Sequence, residues 1–598
     1  MMSDFVYSSV QKQSGELSAV ISGIYAENPP VVKEFHGEWG SLAVSQNMYP
    51  NFQVMEDESS VFCILGGPVI LYQDNTFLGG NDPSRGTELI RERFMAGTLR
   101  FGEDLSGPFI IVSLNKSEST LTVVTDIMMF LPVYMHEDSG AVMLASHVDV
   151  LAIASGQVNN LDEASLVDFV LNDVITYPFT AYAALRQCSP ATVLCFKVQN
   201  GKAIGSEASQ YWRPDEVISY GCLNDAARAL RDSVSDYVCR VTSGLDRVAQ
   251  FLSGGEDSRA IAGLLPTHLK RDGFVFVETR NREARISERV AQVYGVNLHV
   301  HMRAVTHYAD VLPDASRLIG MGHQYCHAHS MGIHAQCGLE NYSAVFGGFL
   351  SDSFIKGYYT RKIREISRMH FLPQFFIKGE TRTREVINPA FNPELTRIVT
   401  ERRREHFANV YEMRKRSAHE WFTLWPATMR ATVPNIYVNR RLFRGYEPFM
   451  GSGVVRISAG VPSEWKLNRR LFNRAMRPFL RKSRFIVHGD GWFPYYPWWM
   501  NIIPRQIISW SKKIGRRTGQ IKGNQASWTD WKRLVNSEKW MRMYDSNKEN
   551  VDLFRNCFAR KDQNQEIEYR KLSIDQKMNF LQILVSVDQL SRRVGLGG

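Results

Sequence analysis

Residues 253–258 read Ser-Gly-Gly-Glu-Asp-Ser and combine two adjacent glycines with two hydroxyls and two carboxylates. The glycines let the backbone approach an anion without a Cβ clash, and the hydroxyls add hydrogen-bond donors. The segment follows the apolar run 248–252 and precedes a helical pattern, so the unpaired N–H groups of a helix start would face the same anion. This arrangement predicts a phosphate-binding loop between a strand and a helix.

Asp257 is an unusual residue for a bare phosphate loop, because its carboxylate would repel the anion. Its presence is explained if it holds Mg²⁺ that bridges to the phosphates. The loop lacks the Gly-Lys-Ser/Thr of a Walker A motif and is not a Gly-x-Gly-x-x-Gly dinucleotide loop. A tight strand-to-helix turn without a ligand is the alternative interpretation.

The elements around this loop alternate between strands and helices, which indicates a parallel sheet with helices on its faces. Helical periodicity begins near Asn224, and short apolar strands alternate with helices as far as His301. Residues 1 to about 200 are instead rich in short apolar strands separated by turns. Their continuous apolar runs predict sheets that are covered on both faces. The main predicted strands are 60–65, 108–113, 119–124, 248–252, 274–277 and 296–301.

The loop at 253–258 resembles the pyrophosphate-binding loop (PP-loop) of the asparagine synthetase family. Residues 104–109 and 125–134 resemble that family's glutaminase-domain pattern, Gly-x-Phe followed by Asp-x-x-Gly-x-x-Pro-Leu-Tyr, with Met129 or Phe130 in place of the glycine. The resemblance implies an α/β protein. A glutamine amidotransferase-like αββα sandwich of the N-terminal-nucleophile hydrolase type would span 1–210. An ATP-pyrophosphatase domain with a parallel sheet and a basic helical extension would span 211–598.

The resemblance also implies a set of site residues. Residues 345–352 resemble the family's second glycine–acid loop, in which Asp352 would join Asp257 on Mg²⁺. Segment 480–485 resembles the region that carries a catalytic lysine, so Lys482 is the candidate that stabilises charge on an acyl-adenylate. The residues expected to contact ATP or pyrophosphate are Leu252, Ser253, Gly254, Gly255, Asp257, Ser258, Val277, Gly347 and Gly348.

The sequence departs from the family at the glutaminase nucleophile, which is a cysteine exposed as residue 1 after removal of Met. Met2 stands there in this chain, and the first cysteine, Cys63, lies inside a predicted strand. We therefore expect the glutaminase chemistry to be absent and the first domain to be a structural remnant or a support for substrate or partner. β-Lactam synthetases and lasso-peptide macrolactam cyclases resemble this chain in that loss.

The predicted function is an ATP-dependent ligase that adenylates a substrate carboxylate and couples it to an amine, within one molecule or between two. The substrate would be a small molecule or peptide, with a precursor peptide and a papain-like peptidase as possible partners. One alternative is amidation with ammonia or glutamine. A second is another adenylating reaction that uses Cys326 or Cys337, and a third is a non-catalytic binding protein.

Residues 323–337 concentrate His and Cys at spacings that would bring them together on helix faces. Zinc is one interpretation, although the spacing fits no finger pattern. The other places these residues in the acceptor pocket, with His327 as the base for the attacking amine. The basic segment 509–523 predicts an exposed loop, and nucleic-acid binding is not expected because stacking aromatics do not alternate with its charges.

Composition limits the remaining classes. With 598 residues, 44% hydrophobic and 22% charged, the chain is globular with two or more domains rather than disordered or fibrous. The net charge of +10 permits an anionic ligand without requiring one. No run approaches the roughly 18 apolar residues of a membrane span, and no secretory signal begins the chain, so we expect no membrane partner. Eight cysteines without a Cys-x-x-Cys pair are most simply reduced thiols in the cytoplasm.

Overall fold

The structure, a computed structural model, describes residues 4–595 apart from 81, 364–372, 378–384, 387, 520–523 and 559–568. Met2, where the sequence departs from the glutaminase pattern, lies outside the described residues. None of the described helices has both the length and the apolar character required to cross a bilayer.

The N-terminal part contains two six-stranded antiparallel sheets. Strands such as Phe5–Ser8 and Ser60–Gly66 are buried along their whole length, as their continuous apolar runs predict. In spatial order the first sheet is Arg186–Gln187, Tyr134–Asp138, Ala141–Ala145, Phe5–Ser8, Gly40–Ser45 and Val32–Gly37. The second is Lys202–Gln210, Thr192–Gln199, Thr120–Thr125, Phe109–Asn115, Ser60–Gly66 and Met55–Glu56. The helices are Glu16–Ser22, Arg85–Met95, Phe101–Asp104, Val148–Ala154 and Glu163–Asn172.

Residues 126–131 form the turn that carries the Asp-x-x-Gly part of the resemblance. Asp126 accepts backbone N–H groups from Met128, Phe130 and Leu131 at 2.9–3.1 Å. Met129 has a φ of 55°, so it occupies the left-handed conformation in which the family pattern carries glycine. Met129, rather than Phe130, therefore replaces that glycine.

The second part is built on a five-stranded parallel sheet, as the sequence predicts. Its spatial order is Asn297–Met302, Lys270–Val277, Arg247–Phe251, Val345–Phe346 and Gly445–Tyr446. The α/β fold class expected from the sequence is confirmed. The helices that connect and cover these strands are Leu223–Thr242, Glu256–Leu264, Arg282–Tyr294, His307–Asp310, Leu312–Ile319, Ser351–Ile355, Pro393–Met413, Ala418–Trp421 and Pro434–Leu442.

The C-terminal region is mostly helical. Its helices are Ser452–Ala459, Ser463–Lys466, Arg470–Met476, Ile502–Arg517, Trp531–Val535, Glu538–Ser546 and Ile574–Gly595. The expectation of a loop at 509–523 is wrong for its first part, because residues 509–517 continue a helix that begins at Ile502. Residues 520–523 lie outside the described part. Residues 323–337 form turns rather than helix faces, and Gly332 adopts a φ of 76° within them.

The N-terminal strand is joined to the second part by a buried ion cluster. Asp4 accepts from Arg440 at 2.9 Å and from Arg441 at 2.6 and 2.9 Å, and all three side chains are buried. Burial alone would raise the pKa of the Asp4 carboxyl, but the two guanidinium groups hold it well below its usual range. Since both arginines lie on helix Pro434–Leu442, which leads into the last parallel strand, this cluster connects the two parts beside the candidate site.

Candidate active site

The loop between strand Arg247–Phe251 and helix Glu256–Leu264 is tightly folded on itself. Ser253 N donates to Ser258 Oγ at 3.2 Å, and Ser258 Oγ donates back to Ser253 O at 2.9 Å. A Cβ at position 254 would lie 2.7 Å from Ile286 Cγ2, which is closer than real Cβ contacts come. Glycine is therefore required at position 254 for the loop to pack against the neighbouring helix.

The backbone of the loop already presents a donor to an anion. Gly254 N donates to Glu283 Oε1 at 2.7 Å, so a carboxylate oxygen lies where an oxygen of a bound anion would accept. Burial raises the pKa of Glu283, because loss of hydration disfavours the charged form of the carboxylate. We expect this carboxylate to leave the N–H when a phosphate binds.

Arg259 fastens the loop to the C-terminal region. Its guanidinium is fully buried and donates to Gly254 O at 2.8 Å, to Ile486 O at 2.6 Å and to Val487 O at 3.1 Å. Burial lowers the pKa of Arg259 to about 10, so the group stays charged at neutral pH. The loop is thus held from behind by a cation that does not face the cavity.

Replacing Arg259 by Met should destabilise the protein by about 3 kcal/mol, because one buried and two partly buried carbonyls lose their donor. Differential scanning calorimetry should show a Tm lowered by several degrees. Arg285→Met is the control, since Arg285 is exposed on the adjacent helix and its loss should cost less than about 0.5 kcal/mol. Equal melting of the two variants would contradict this role of Arg259.

Lys356 places a positive charge beside the two acids at the start of the helix. Its Nζ donates to both carboxylate oxygens of Asp257 at 2.8 and 2.7 Å and lies 3.2 Å from Glu256 Oε1. Glu256 is buried and also pairs with Arg469 at 2.7 Å. Burial opposes the charge on Lys356, yet Asp257 and Glu256 raise the pKa of its ammonium. Two cations thus neutralise the two acids that begin the helix.

The two carboxylates that the resemblance assigns to Mg²⁺ are each paired with a cation of the chain. Lys356 engages both oxygens of Asp257, and Arg430 Nη2 lies 3.5 Å from Asp352 Oδ2. Within the described ranges, no group of three or more His, Cys, Asp or Glu side chains is placed to hold a metal ion. These residues, as arranged, do not fit the expected magnesium site.

A cavity of about 280 Å³ opens in front of the loop. Glycine is required at Gly348 in its wall, where a Cβ would lie 2.7 Å from Asp257 Cβ, and a Cβ at Gly347 would force the Glu447 carboxylate to move. The lining of this cavity includes Ser253, Asp257, Gly347, Gly348, Glu447 and Trp528. The phosphate loop and the glycine loop therefore meet at one wall of this cavity.

A second cavity of about 570 Å³ adjoins the first and shares Gly348, Phe349 and Trp528 with it. Arg430 contributes a guanidinium that lies over the Tyr359 ring at 4.7 Å. Asp173, Asp352 and Asp575 also line this cavity. Asp173 accepts from Asn579 at 2.8 Å and from Gln324 at 3.3 Å, and no ion pair to Asp173 or Asp575 occurs in the part of the chain that the structure describes. The second cavity can thus hold a ligand that carries both a carboxylate and a cationic amine.

Two side chains with shifted pKa values differ in their suitability as a base. Glu447 lies half-buried in the wall of the first cavity, where its Oε2 accepts from Phe349 N at 2.8 Å. Burial raises the pKa of Glu447 to about 8, within the range in which a group exchanges protons readily at neutral pH. His327 lines the second cavity, but burial and then Arg430 lower the pKa of its ring to about 3, which makes it a weak base.

The expected site residues are brought together in part. Six of them line the first cavity: Leu252, Ser253, Asp257, Ser258, Gly347 and Gly348. Gly254 and Gly255 shape the loop, while Val277 is buried against Val275 and Ala284. Asp352 and His327 line the second cavity. Lys482, the expected catalytic lysine, is exposed and belongs to the lining of neither cavity.

Sequence reasoning missed Lys356, Arg430 and Trp528 altogether and gave no role to Glu447. Trp528 contacts His329 with ring centroids 4.2 Å apart and separates the two cavities. The sequence offered a signal only for Lys356, a lysine shortly after the second glycine loop. The other three reach the site through contacts between distant segments.

Two family profiles match the chain. Residues 75–212 match the family described as a glutamine amidotransferase domain, and residues 229–484 match asparagine synthase. Together the two segments cover about two thirds of the chain. The chain thus carries a glutamine amidotransferase domain followed by an asparagine synthase domain. Its asparagine synthase domain is that of an ATP-dependent ligase, and the parallel sheet with both glycine loops falls within that domain.

Similar solved structures share little sequence with this chain. One is described as the allosteric regulatory enzyme of purine biosynthesis; it is 9% identical over 50% of this chain and 80% of its own, with a TM-score of 0.23. Another is glutamine phosphoribosylpyrophosphate amidotransferase from B. subtilis complexed with ADP and GMP, 9% identical over 50% and 65%, with a TM-score of 0.20. No curated protein matches the sequence.

Proposed function

We propose that this protein activates a substrate carboxylate as an acyl-adenylate and couples it to an amine. The observation that carries the proposal is that two cavities adjoin. The first lies in front of the phosphate loop, and it shares Gly348 and Trp528 with the second, larger cavity. ATP in the first cavity would lie beside an acyl acceptor site in the second. We also place the division between the amidotransferase-like and synthetase domains at residues 210 and 211.

In the first step, a carboxylate oxygen of the substrate attacks the α-phosphorus of ATP, and the bond from that phosphorus to the bridging oxygen of the pyrophosphate breaks. Ser253, Gly254, Gly255 and Ser258 would bind the departing pyrophosphate through N–H and hydroxyl donors. Lys356 stabilises its growing negative charge from beside Asp257.

In the second step, an amine attacks the acyl carbon, and the bond from that carbon to the AMP oxygen breaks. The proton released by the amine passes to a base, for which the pKa of Glu447 and its place in the first cavity are suitable. Confinement of both reactants in adjoining cavities supplies much of the rate enhancement.

The second cavity supports a substrate that carries both reacting groups. Arg430 can bind a carboxylate, and the acidic wall at Asp173 and Asp575 can bind an ammonium group. A volume of about 570 Å³ accommodates the end of a peptide as well as a small molecule. We therefore include cyclisation of a precursor peptide, with a peptidase as partner, among the reactions of this site.

A simpler amidation with ammonia is the second candidate. Cys63, the first cysteine of the chain, is buried in a strand, and burial raises the pKa of its thiol to about 12. Such a thiol is a poor nucleophile for glutamine hydrolysis, so ammonia would have to be supplied free.

The test is exchange of labelled pyrophosphate into ATP, screened over amino acids, dicarboxylic acids and peptides with free carboxylates in magnesium-containing buffer. We expect exchange that depends on one class of acid, and AMP release once a matching amine is added. If no acid supports exchange while ATP still binds, the protein is a nucleotide-binding protein and the ligase proposal fails.

A further inference from the structure

The helix Ile502–Arg517 presents an apolar stripe to solvent. Four apolar side chains on this helix are more than half exposed: Ile503 at 70%, Ile507 at 59%, Trp510 at 64% and Ile514 at 60%. Their spacing of four, three and four residues places them on one face. Isolated exposed apolar residues are ordinary, but a continuous stripe over three turns indicates an interaction surface.

The stripe faces outward because the opposite face of the helix is anchored to the protein. Lys512 Nζ donates to Gly489 O at 2.6 Å, and the Arg505 guanidinium lies over the Trp492 ring at 4.7 Å. The turn Trp498–Asn501 leads into the helix and adds Trp499 and Met500, exposed by 58% and 45%. The helix is thus a fixed element that displays its apolar side.

The charge of this helix selects the kind of partner. Between Ile502 and Arg517 the sequence has five basic residues and no acidic one. Lys513 and Arg517 are exposed and lie along one side of the stripe on the helical projection. A solvent-facing row of Ile and Trp with basic residues along its margin is typical of a helix that lies in a bilayer interface and contacts anionic headgroups.

We propose that helix Ile502–Arg517 attaches the protein to the surface of an anionic bilayer. The four apolar side chains enter the headgroup boundary, and Lys513 and Arg517 pair with anionic lipid headgroups. The sequence expectation of no membrane partner rested on the lack of a spanning segment, which a helix lying on the surface does not need. This attachment does not depend on the ligase chemistry, so each can fail without the other.

The test is co-sedimentation of the full chain with vesicles of phosphatidylcholine alone or with about one third phosphatidylglycerol. We expect binding to the anionic vesicles only, and weaker binding at high salt because the charge contribution is screened. Trp510→Ser combined with Ile514→Ser should weaken binding at least about tenfold, because two large apolar side chains no longer enter the interface.

Lys513→Gln combined with Arg517→Gln should remove most of the preference for anionic lipid. Val217→Ser combined with Ile218→Ser is the matched control, since those apolar residues are 63% and 58% exposed elsewhere and should not matter. Circular dichroism melting verifies that all variants fold. The proposal is overturned if the wild type binds neither vesicle, or if the Trp510 and Ile514 variant binds equally well. A wild-type dimer that this variant dissociates, without vesicle binding, would assign the stripe to a second copy of the chain.

Discussion

Replacing Lys356 by Met should lower the rate of ATP–pyrophosphate exchange on the order of 100-fold, as expected when a donor aimed at developing charge is removed. Lys356 is the ammonium that contacts Asp257, and Asp257 lines the cavity in front of the phosphate loop. Without it, the negative charge of the leaving pyrophosphate meets the uncompensated carboxylate of Asp257, while Glu256 keeps its pairing with Arg469. The exchange rate at saturating ATP and acid is the measurement.

Because the single variant leaves the partly buried Asp257 without its cation, it can also destabilise the fold. Lys356→Met combined with Asp257→Asn restores the charge balance and should remain equally slow while melting near the wild-type temperature. Lys482→Met provides the comparison, since Lys482 is exposed and outside both cavities. Loss of exchange in the Lys482 variant together with an active Lys356 variant would contradict the assignment of the lysine.

Replacing Glu447 by Gln should lower amide formation about 10²- to 10⁴-fold, the usual contribution of a positioned base. The glutamine oxygen can still accept from Phe349 N, so the wall of the cavity is preserved. Exchange of pyrophosphate precedes attack by the amine and should stay within about threefold of wild type. The separation of the two rates distinguishes a base in the second step from a structural residue.

The pH profile provides an independent measurement of the same residue. Glu447 is protonated below its pKa of about 8 and becomes a carboxylate, the form that accepts a proton, as the pH rises through that value. Amide formation should therefore rise between pH 7 and 9 in the wild type and lose that rise in the Gln variant. If the Gln variant keeps the rise in amide formation, or if His327→Asn loses that rise instead, Glu447 is not the base.

The loop at 253–258 was predictable as a strand-to-helix connection because its determinants are local. Ser253, Gly255 and Ser258 interact within six residues and stand between a strand and a helix, so their pattern is visible in the sequence. The parallel sheet was predictable for the same reason, since each strand and its following helix are consecutive. The basic composition of 509–523, with glycines at 515 and 519, favoured a loop. Its first part is instead helical, because the apolar residues from Ile503 to Ile514 recur at helical spacing.

The rest of the site depends on contacts that span the chain. Gly347 meets Glu447 only because Val345 pairs with Gly445 and Phe346 with Tyr446 in the parallel sheet. No local signal in the sequence gives that register. Lys356 and Asp257 are 99 residues apart, and a lysine in a familiar motif, Lys482, was the more visible candidate. Burial decides between them, and burial is a property of the folded chain.

The most direct test of the central claim is a crystal structure with a non-hydrolysable ATP analogue. We predict that its β- and γ-phosphates accept hydrogen bonds from the backbone of residues 253–255 and from the Ser253 and Ser258 hydroxyls, with the Glu283 carboxylate displaced from Gly254 N. An analogue bound elsewhere, with Glu283 still accepting from Gly254 N, would contradict the account.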